Sequence, residues 1–365
     1  MRVLNARCPG LSFEGIGGPQ MQAEGCASLF PMERLSVLGV TEVLGRFREL
    51  KRMRAQLIEH FRSRPPQLFI GVDSPGFNLG LEEALHNDGI RTVHFVSPQV
   101  WAWRTWRVHQ IRRAVDRMLV LFPFEAEFYA RHNVPATFVG HPLADEISGE
   151  SDARECRARL GLALDAPTVA LLPGSRAGEL RALADRIVRA AVWLWERDPR
   201  LRFVSPFVNA ATRAMFEAAL TRQGAAGLPI LRVEGRSREA IGAADVVLCA
   251  SGTATLETML IGRPMVVTYR VSWLSSWLVR MFSHLEHYAM PNHLAGKRLV
   301  PELLQHDAVP EKLGAAVEHY LTHPEDARSL VAEFRRIAAT LRVDAAQRAA
   351  DEILKMLPEL RTAGA

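Results

Sequence analysis

The ten residues Leu171–Leu180, LLPGSRAGEL, set a small-residue turn, a serine and an arginine between two contrasting patterns. The apolar run Val169–Leu172 predicts a buried strand, and the amphipathic spacing from Glu179 to about Trp195 predicts a helix. Such a turn presents unpaired N–H groups at a helix N-terminus, where the dipole favours an anion. Gly174 admits close backbone approach, Ser175 offers a hydroxyl and Arg176 a permanent fork that matches phosphate. The chemistry these residues suggest is phosphate binding. An ordinary capped turn with a solvated arginine accounts for them equally.

Ala250–Glu257, ASGTATLE, repeats the arrangement after the apolar run Val246–Cys249. Its Ser251, Gly252 and Thr253 can cap a helix or hold an anion. Glu257, about one and a half turns on, could accept from ribose hydroxyls or simply face solvent. Two such turns at strand ends of one α/β domain favour a shared nucleotide crevice. In the first half, Asp73 follows the run Leu68–Val72 and precedes Ser-Pro-Gly, at the rim where α/β proteins carry catalytic groups. An Asx-turn that holds the loop is the alternative. The run Ser97–Arg104, SPQVWAWR, also follows a strand pattern, and its tryptophans Trp101 and Trp103 could wall a sugar or acyl pocket or cover the core. No D-x-D, GxSxG, P-loop or HExxH pattern occurs, so no metal and no other cofactor is expected.

These residues need elements to position them, and the chain alternates strand-like runs with helical patterns throughout. Strands are expected at 12–16, 68–72, 92–96, 117–121 and 137–139, then at 168–172, 202–206, 230–233, 246–249 and 265–268. Helices are expected between them, for example at 45–63 and 80–88. The two halves meet near Gly140–Pro167, which gives domains at 1–155 and 156–325 and a helical tail at 326–365. At 365 residues, 48% hydrophobic and 23% charged, the chain is globular and long enough for two cores. Its start carries no apolar signal region, no run suits a membrane span, and its four cysteines form no metal or disulfide spacing. A cytoplasmic protein is expected. Only four of its 45 basic residues are lysine. Arg46–Arg54 and Trp103–Arg113 mix arginines with apolar residues, which suits an anionic membrane surface better than nucleic acid, for which no motif is present.

Taken together, the motifs resemble lipid-A-disaccharide synthases over essentially the whole chain. Those that carry the resemblance are GIGGPQMQAEG (15–25), LSVLGVTEVLG (35–45), GVDSPGFN (71–78), VSPQVWAWR (96–104) and LFPFE (121–125). They continue with GHPLAD (140–145), LLPGSR (171–176), PFVNA (206–210), LCASGTATLE (248–257) and MPNHLAG (290–296). The resemblance implies an inverting, metal-independent glycosyltransferase of the GT-B type, with two Rossmann-like domains across a cleft and C-terminal helices crossing back to the first. It implies UDP-2,3-diacylglucosamine as donor and 2,3-diacylglucosamine 1-phosphate as acceptor, joined as the β-1,6 disaccharide 1-phosphate with release of UDP. Asp73 is then the general base and Arg176 the donor-phosphate contact. Gly174, Ser175, Asn209, Ser251, Gly252, Thr253 and Glu257 would line the UDP-sugar. Ser97, Trp101, Trp103, Arg104 and Asn292 are acceptor or pocket candidates.

The acylated substrates also give the basic-apolar surface a use. Leu35, Val37, Leu38, Val40 and Leu44, followed by Arg46–Arg54, could embed in an anionic leaflet; a buried helix pair with a solvated basic face is the alternative. The expected location is the inner face of the inner membrane, held peripherally, and a homodimer is among the assemblies the reading admits. One departure stands out. The family begins with a strand and a Gly-Glu-x-Ser-Gly-Asp loop, whereas here Met1 falls within the helix that follows, roughly two dozen residues later. A chain start set too late explains this, and an impaired, non-catalytic membrane-bound product is the alternative. Another GT-B enzyme that uses UDP-N-acetylglucosamine is the enzymatic runner-up.

Overall fold

The computed structural model describes residues 1–35, 40–147, 149, 151–270 and 286–357. Its contacts separate two units, Met1–Pro142 with Arg342–Ala365, and Leu143–Leu341. The pattern break at 140–167 spans this division. The helix Ala153–Leu160 packs on the helix Ser237–Ala243 and so belongs to the second unit. The tail is shared out: Pro324–Leu341 lies in the second unit and Ala345–Lys355 in the first.

In the first unit, β1 (Phe13–Gly15) and β2 (Cys26–Ser28) form a parallel pair joined by the helix Pro19–Ala23. A second parallel sheet runs β3 (Phe69–Val72), β4 (Thr92–Phe95), β5 (Arg117–Val120), β6 (Ala136–Phe138), in that order. The helix Val40–Ser63 buries Met53, Leu57 and Phe61, four residues apart on one face, against Phe77, Leu81 and Leu85. Its opposite face carries exposed Phe47, Arg48, Lys51 and Arg52. The closing helix Ala345–Lys355 docks through Arg7–Asp351 at 2.5 Å, and Thr137 Oγ1 donates to Glu352 at 3.1 Å.

The second unit is one six-stranded parallel sheet. Its strands are β7 (Thr168–Leu172), β8 (Arg202–Phe207), β9 (Ile230–Glu234), β10 (Val246–Ala250), β11 (Met265–Tyr269) and β12 (Glu302–Leu304), in the order β12-β11-β10-β7-β8-β9. Every residue of β7 and β10 is buried, as a strand covered on both faces requires. The helix Ala177–Arg197 covers one face with Leu180, Leu183, Ile187, Val188 and Leu194 at helical spacing. Strand order reverses direction between β7 and its neighbour β10. Crevices at the carboxyl ends of such a pair are where open α/β sheets bind ligands. Both phosphate-type turns of the sequence leave these two strands.

The short strands β2 and β12 are not marked in the sequence, because Cys26–Ser28 is a run of small residues and Glu302–Leu304 opens on a charged residue after Pro301. The helix expected from Gly80 begins at Pro75, which occupies a first-turn position that needs no N–H.

Candidate active site

The turn after β7 is built around Glu179. Its Oε2 accepts from Ser175 N at 2.9 Å and Arg176 N at 3.2 Å, so a carboxylate from the following helix already occupies two amides of the turn. Gly174 has φ +114, and a Cβ there would lie 2.5 Å from Glu179 Oε2. The glycine is therefore required by this fold-back, where the sequence suggested close approach to a ligand. The Arg176 side chain is 79% exposed and only loosely paired with Glu179, at 3.7 Å. What the turn offers an anion is that guanidinium, the Ser175 hydroxyl, and the amides of Ala177 and Gly178, whose positions have no i−4 carbonyl.

The turn after β10 is different. The Ser251 hydroxyl donates to Tyr288 O at 2.8 Å instead of capping the helix, and the Gly252 N-cap makes no side-chain cap bond. Gly252 is exposed at φ +146 with open space around it. Thr255 Oγ1 turns back to Gly252 O at 2.8 Å. The first-turn amides at exposed Thr253 and neighbouring Ala254 thus have no cap, and of the two turns this one keeps its N-terminal donors open. Farther along, Glu257 is half-buried with Arg238 Nε at 3.7 Å, and burial raises its carboxyl above the usual range, partly offset by Arg238. Arg238 is also held by Glu146 at 2.8 Å.

Two second-unit candidates are structural. Asn292 is fully buried: its Nδ2 donates to Val300 O and Glu302 Oε1, and its Oδ1 accepts from Leu299 N and Val300 N. That uses its whole hydrogen-bonding capacity and leaves nothing for an acceptor. Asn209 is the N-cap of Ala210–Arg222, accepting from Thr212 N at 3.0 Å, so only its amide nitrogen remains for a ligand.

The first-unit candidates gather at the carboxyl ends of β3 and β4. Asp73 and Ser74 both adopt left-handed φ, +48 and +46, forming a sharp elbow between β3 and the helix Pro75–Asn87. Two consecutive non-glycine residues there cost free energy, on the order of 1–3 kcal/mol each, that neighbouring bonds must offset. Asp73 N donates to Phe95 O at 2.8 Å, and Asn78 Nδ2 donates to Val72 O and Asp73 O at 3.2 and 2.8 Å. The Asp73 carboxylate is left exposed. Beneath the elbow, Glu82 and His94, both 0% exposed, meet at 2.7 Å. A Cβ on Gly71 would lie 1.9 Å from Glu82 Oε1, so this pair fixes glycine at that position. Burial raises the Glu82 carboxyl, and the bond to His94 offsets part of the rise.

β4 is followed by a third residue in left-handed φ, Val96, at +76. The loop it opens carries Ser97, Trp101, Trp103 and Arg104, and these divide into supports and exposed groups. Ser97 is buried, its hydroxyl 3.0 Å from Tyr129 OH, and so is a support. Trp101 packs on the core, edge-on to Phe124, and its Nε1 donates to Glu125 at 3.1 Å. Trp103 is 44% exposed with the Arg104 guanidinium 4.0 Å over its ring. Trp106, within the basic-apolar stretch Trp103–Arg113, is 60% exposed.

Glu125 was seen in the sequence only as part of LFPFE, yet it ties β5 to this loop. It is 3% exposed and accepts from Leu121 N, Phe122 N and Trp101 Nε1. Burial pushes its carboxyl from 4.5 up to about 7 against those three bonds. The fold therefore holds this proton more tightly than the unfolded chain does. The associated stabilisation is complete below pH 4.5 and is lost as pH rises through about 7, roughly 3 kcal/mol in all. Urea unfolding at pH 5 and pH 8 should show Glu125→Gln with a flatter pH dependence than the parent chain. Equal slopes in the two proteins would contradict the assignment.

Comparison with known proteins follows the same lines. A family model described as lipid-A-disaccharide synthetase matches residues 1–355. The chain is 49% identical over 356 residues to a lipid-A-disaccharide synthase of Alkalilimnicola ehrlichii, covering 97% of this chain and 93% of that one. It is 48% identical over 357 residues to one of Pseudomonas aeruginosa, with 98% and 93% covered. Among solved structures, the UDP-GlcNAc 2-epimerase of Neisseria meningitidis bound to UDP-GlcNAc matches with a TM-score of 0.59 at 11% identity, over 91% of this chain and 85% of that one. Anabaena HepE in complex with UDP and glucose matches with a TM-score of 0.56 at 14% identity, over 94% and 90%. At those identities the likeness is one of fold, and the fold is GT-B.

Proposed function

The chain belongs to the lipid-A-disaccharide synthase family, and from that premise we propose how its residues divide the reaction. It is a glycosyltransferase that uses a UDP-sugar donor: UDP-2,3-diacylglucosamine and 2,3-diacylglucosamine 1-phosphate give the β-1,6 disaccharide 1-phosphate and UDP. The observation that carries the donor assignment is the pair of turns leaving β7 and β10 at the reversal of strand order.

The acceptor 6-hydroxyl attacks the anomeric carbon of the donor from the face opposite UDP. As the new C–O bond forms, the bond from C1 to the diphosphate oxygen breaks and the configuration inverts. Asp73 takes the hydroxyl proton, a role an exposed carboxylate can fill at neutral pH. Arg176 and the open amides at Thr253 and Ala254 face the diphosphate as it gains charge. Glu257 accepts from the ribose hydroxyls. Trp103 and Arg104 border the acceptor, with Ser97, Trp101 and Glu125 holding their loop in place.

The acyl chains account for the exposed basic-apolar surface. Phe47 at 59% exposure stands with Arg48, Lys51 and Arg52 on one helix face, and Trp103 and Trp106 stand with Arg104 on the β4 loop. This suits peripheral attachment to an anionic leaflet, at the inner face of the inner membrane. No described helix is long and apolar enough to cross a membrane. Of the proposed anchor, Val37 and Leu38 lie outside the described residues, as do the side chains of Val40 and Leu44, while Leu35 packs on the first-unit core.

UDP release measured with the acylated donor and acceptor should far exceed release with UDP-N-acetylglucosamine offered at the same concentration. Preference for the unacylated donor would favour the runner-up GT-B activities and overturn the assignment.

A further inference from the structure

Arg107 ends the short 3-10 turn Thr105–Arg107 in the loop between β4 and the helix Val108–Ala114. Its Nη2 reaches Pro75 O at 3.5 Å, which sets the guanidinium beside the elbow, two residues along the chain from Asp73. The side chain is half-buried, and none of the carboxylates among the described residues forms an ion pair with it. A desolvated guanidinium usually has an anionic partner, because a long bond to one neutral carbonyl does not replace its lost hydration. Its neighbour sharpens the imbalance. Arg104, held in left-handed φ at +56, lies near enough to disfavour the charge on Arg107 further. Burial is the larger influence lowering the Arg107 pKa, Arg104 comes second, and Tyr129 acts the other way. The Tyr129 hydroxyl is engaged with Ser97 in the same loop, whose position Glu125 fixes through Trp101. Two arginines on a rigidly supported loop, one of them partly withdrawn from water and neither paired with a carboxylate among the described residues, make a site that lacks its anion.

We propose that Arg107, with Arg104, binds the phosphomonoester of the acceptor and thereby sets the acceptor's orientation at Asp73. This rests on the reading of the first unit as the acceptor half. A guanidinium fork fits a phosphomonoester bidentately, and a dianion between two arginines removes their mutual repulsion. Binding the acceptor through the phosphate at C1 leaves the hydroxyl at C6, on the far side of the ring oxygen, free to meet the base. The preference for a phosphorylated acceptor then originates in these two side chains.

The test compares kcat/KM for the phosphorylated acceptor with that for its dephosphorylated analogue, in the full chain with the acylated donor. In Arg107→Gln this ratio should fall by about 10- to 100-fold, the range for one charge-assisted hydrogen-bonded contact. Arg104→Gln should lower it less, and Arg107→Lys should restore part of it. Inorganic phosphate should compete with the phosphorylated acceptor in the parent chain and lose that effect in Arg107→Gln. A damaged fold lowers both substrates alike and leaves the ratio unchanged, so an unchanged ratio overturns the proposal. So does a rise in donor KM with the ratio intact, which would put the donor diphosphate on Arg107. A lipid headgroup is the other source of the same phosphate chemistry. If Arg107→Gln loses binding to phosphatidylglycerol vesicles while the ratio persists, the site serves the membrane and the proposal fails. The role of Asp73 is read separately: Asp73→Asn with full kcat would remove the base assignment yet leave a collapsed ratio in Arg107→Gln standing.

Discussion

Asp73→Asn should lower kcat by about 10²- to 10⁴-fold, the contribution of a positioned general base, with little change in stability or in KM for either substrate. Asparagine is the sharpest replacement because it matches aspartate in shape and tolerates the left-handed φ of +48 as well as any non-glycine residue. The bonds that hold the elbow use its backbone N–H and carbonyl, not its carboxylate, so they survive the substitution. An exposed side chain with no bond to another described residue should change stability by no more than about 0.5 kcal/mol. A loss of rate with an unchanged melting temperature therefore reads as lost proton transfer. Activity within threefold of the parent would remove Asp73 from the mechanism and reduce the elbow to an Asx-type turn.

How much of this was legible in the sequence depended on which physical signal each residue leaves. β7 and β10 are continuous apolar runs bounded by small-residue turns, and both appear within one residue of the expected bounds. β2 and β12 leave no such trace, since Cys26–Ser28 is a run of small residues and Glu302–Leu304 opens on a charged residue. Asp73, Arg176 and Thr253 stand where strand-end positions put them, exposed at the rims of their sheets. Polar residues in the same kinds of turn proved harder to sort. Asn292 and Ser97 look like ligands in sequence because type and loop position are visible there, whereas burial is not. Once folded, four backbone and side-chain partners use up the amide of Asn292, and Ser97 is spent on Tyr129 and Pro98. Glu179 shows the reverse error: an ordinary helix-face residue by spacing, it folds back and takes the amides the pattern had reserved for phosphate. Its place three residues after the N-cap Arg176 is the N3 position, from which a glutamate side chain reaches back to the N-cap amide, the one signal that could have revealed it. Arg107 is visible in the sequence only as one of a basic cluster, and Glu125 only as the end of LFPFE, for a related reason. Their importance lies in desolvation, which depends on what packs around them in three dimensions.

The capping by Glu179 bears directly on the second large effect. With Ser175 N and Arg176 N already committed, the positive charge this turn presents to a diphosphate is chiefly the Arg176 guanidinium. Arg176→Ala should therefore cost about 10²- to 10³-fold in kcat, as removal of a donor aimed at developing charge does elsewhere. The loss should fall on kcat and not on donor KM. In the ground state the diphosphate charge is shared with the sugar ester, and the extra charge on the leaving oxygen arises only as the C1–O bond breaks. Stability should hardly change, because the Arg176–Glu179 contact at 3.7 Å is an exposed pair of the kind worth only a few tenths of a kcal/mol. On the proposed reading that weakness serves the reaction, since a loosely held arginine can turn toward a ligand at little cost. Arg176→Lys should recover only part of the rate, because an ammonium supplies the charge without the fork. If Arg176→Ala raised donor KM tenfold or more and left kcat intact, the arginine would serve ground-state binding alone. The open amides after β10 would then have to carry the leaving-group charge, and Gly252→Ala, strained at φ +146, would become the more damaging change.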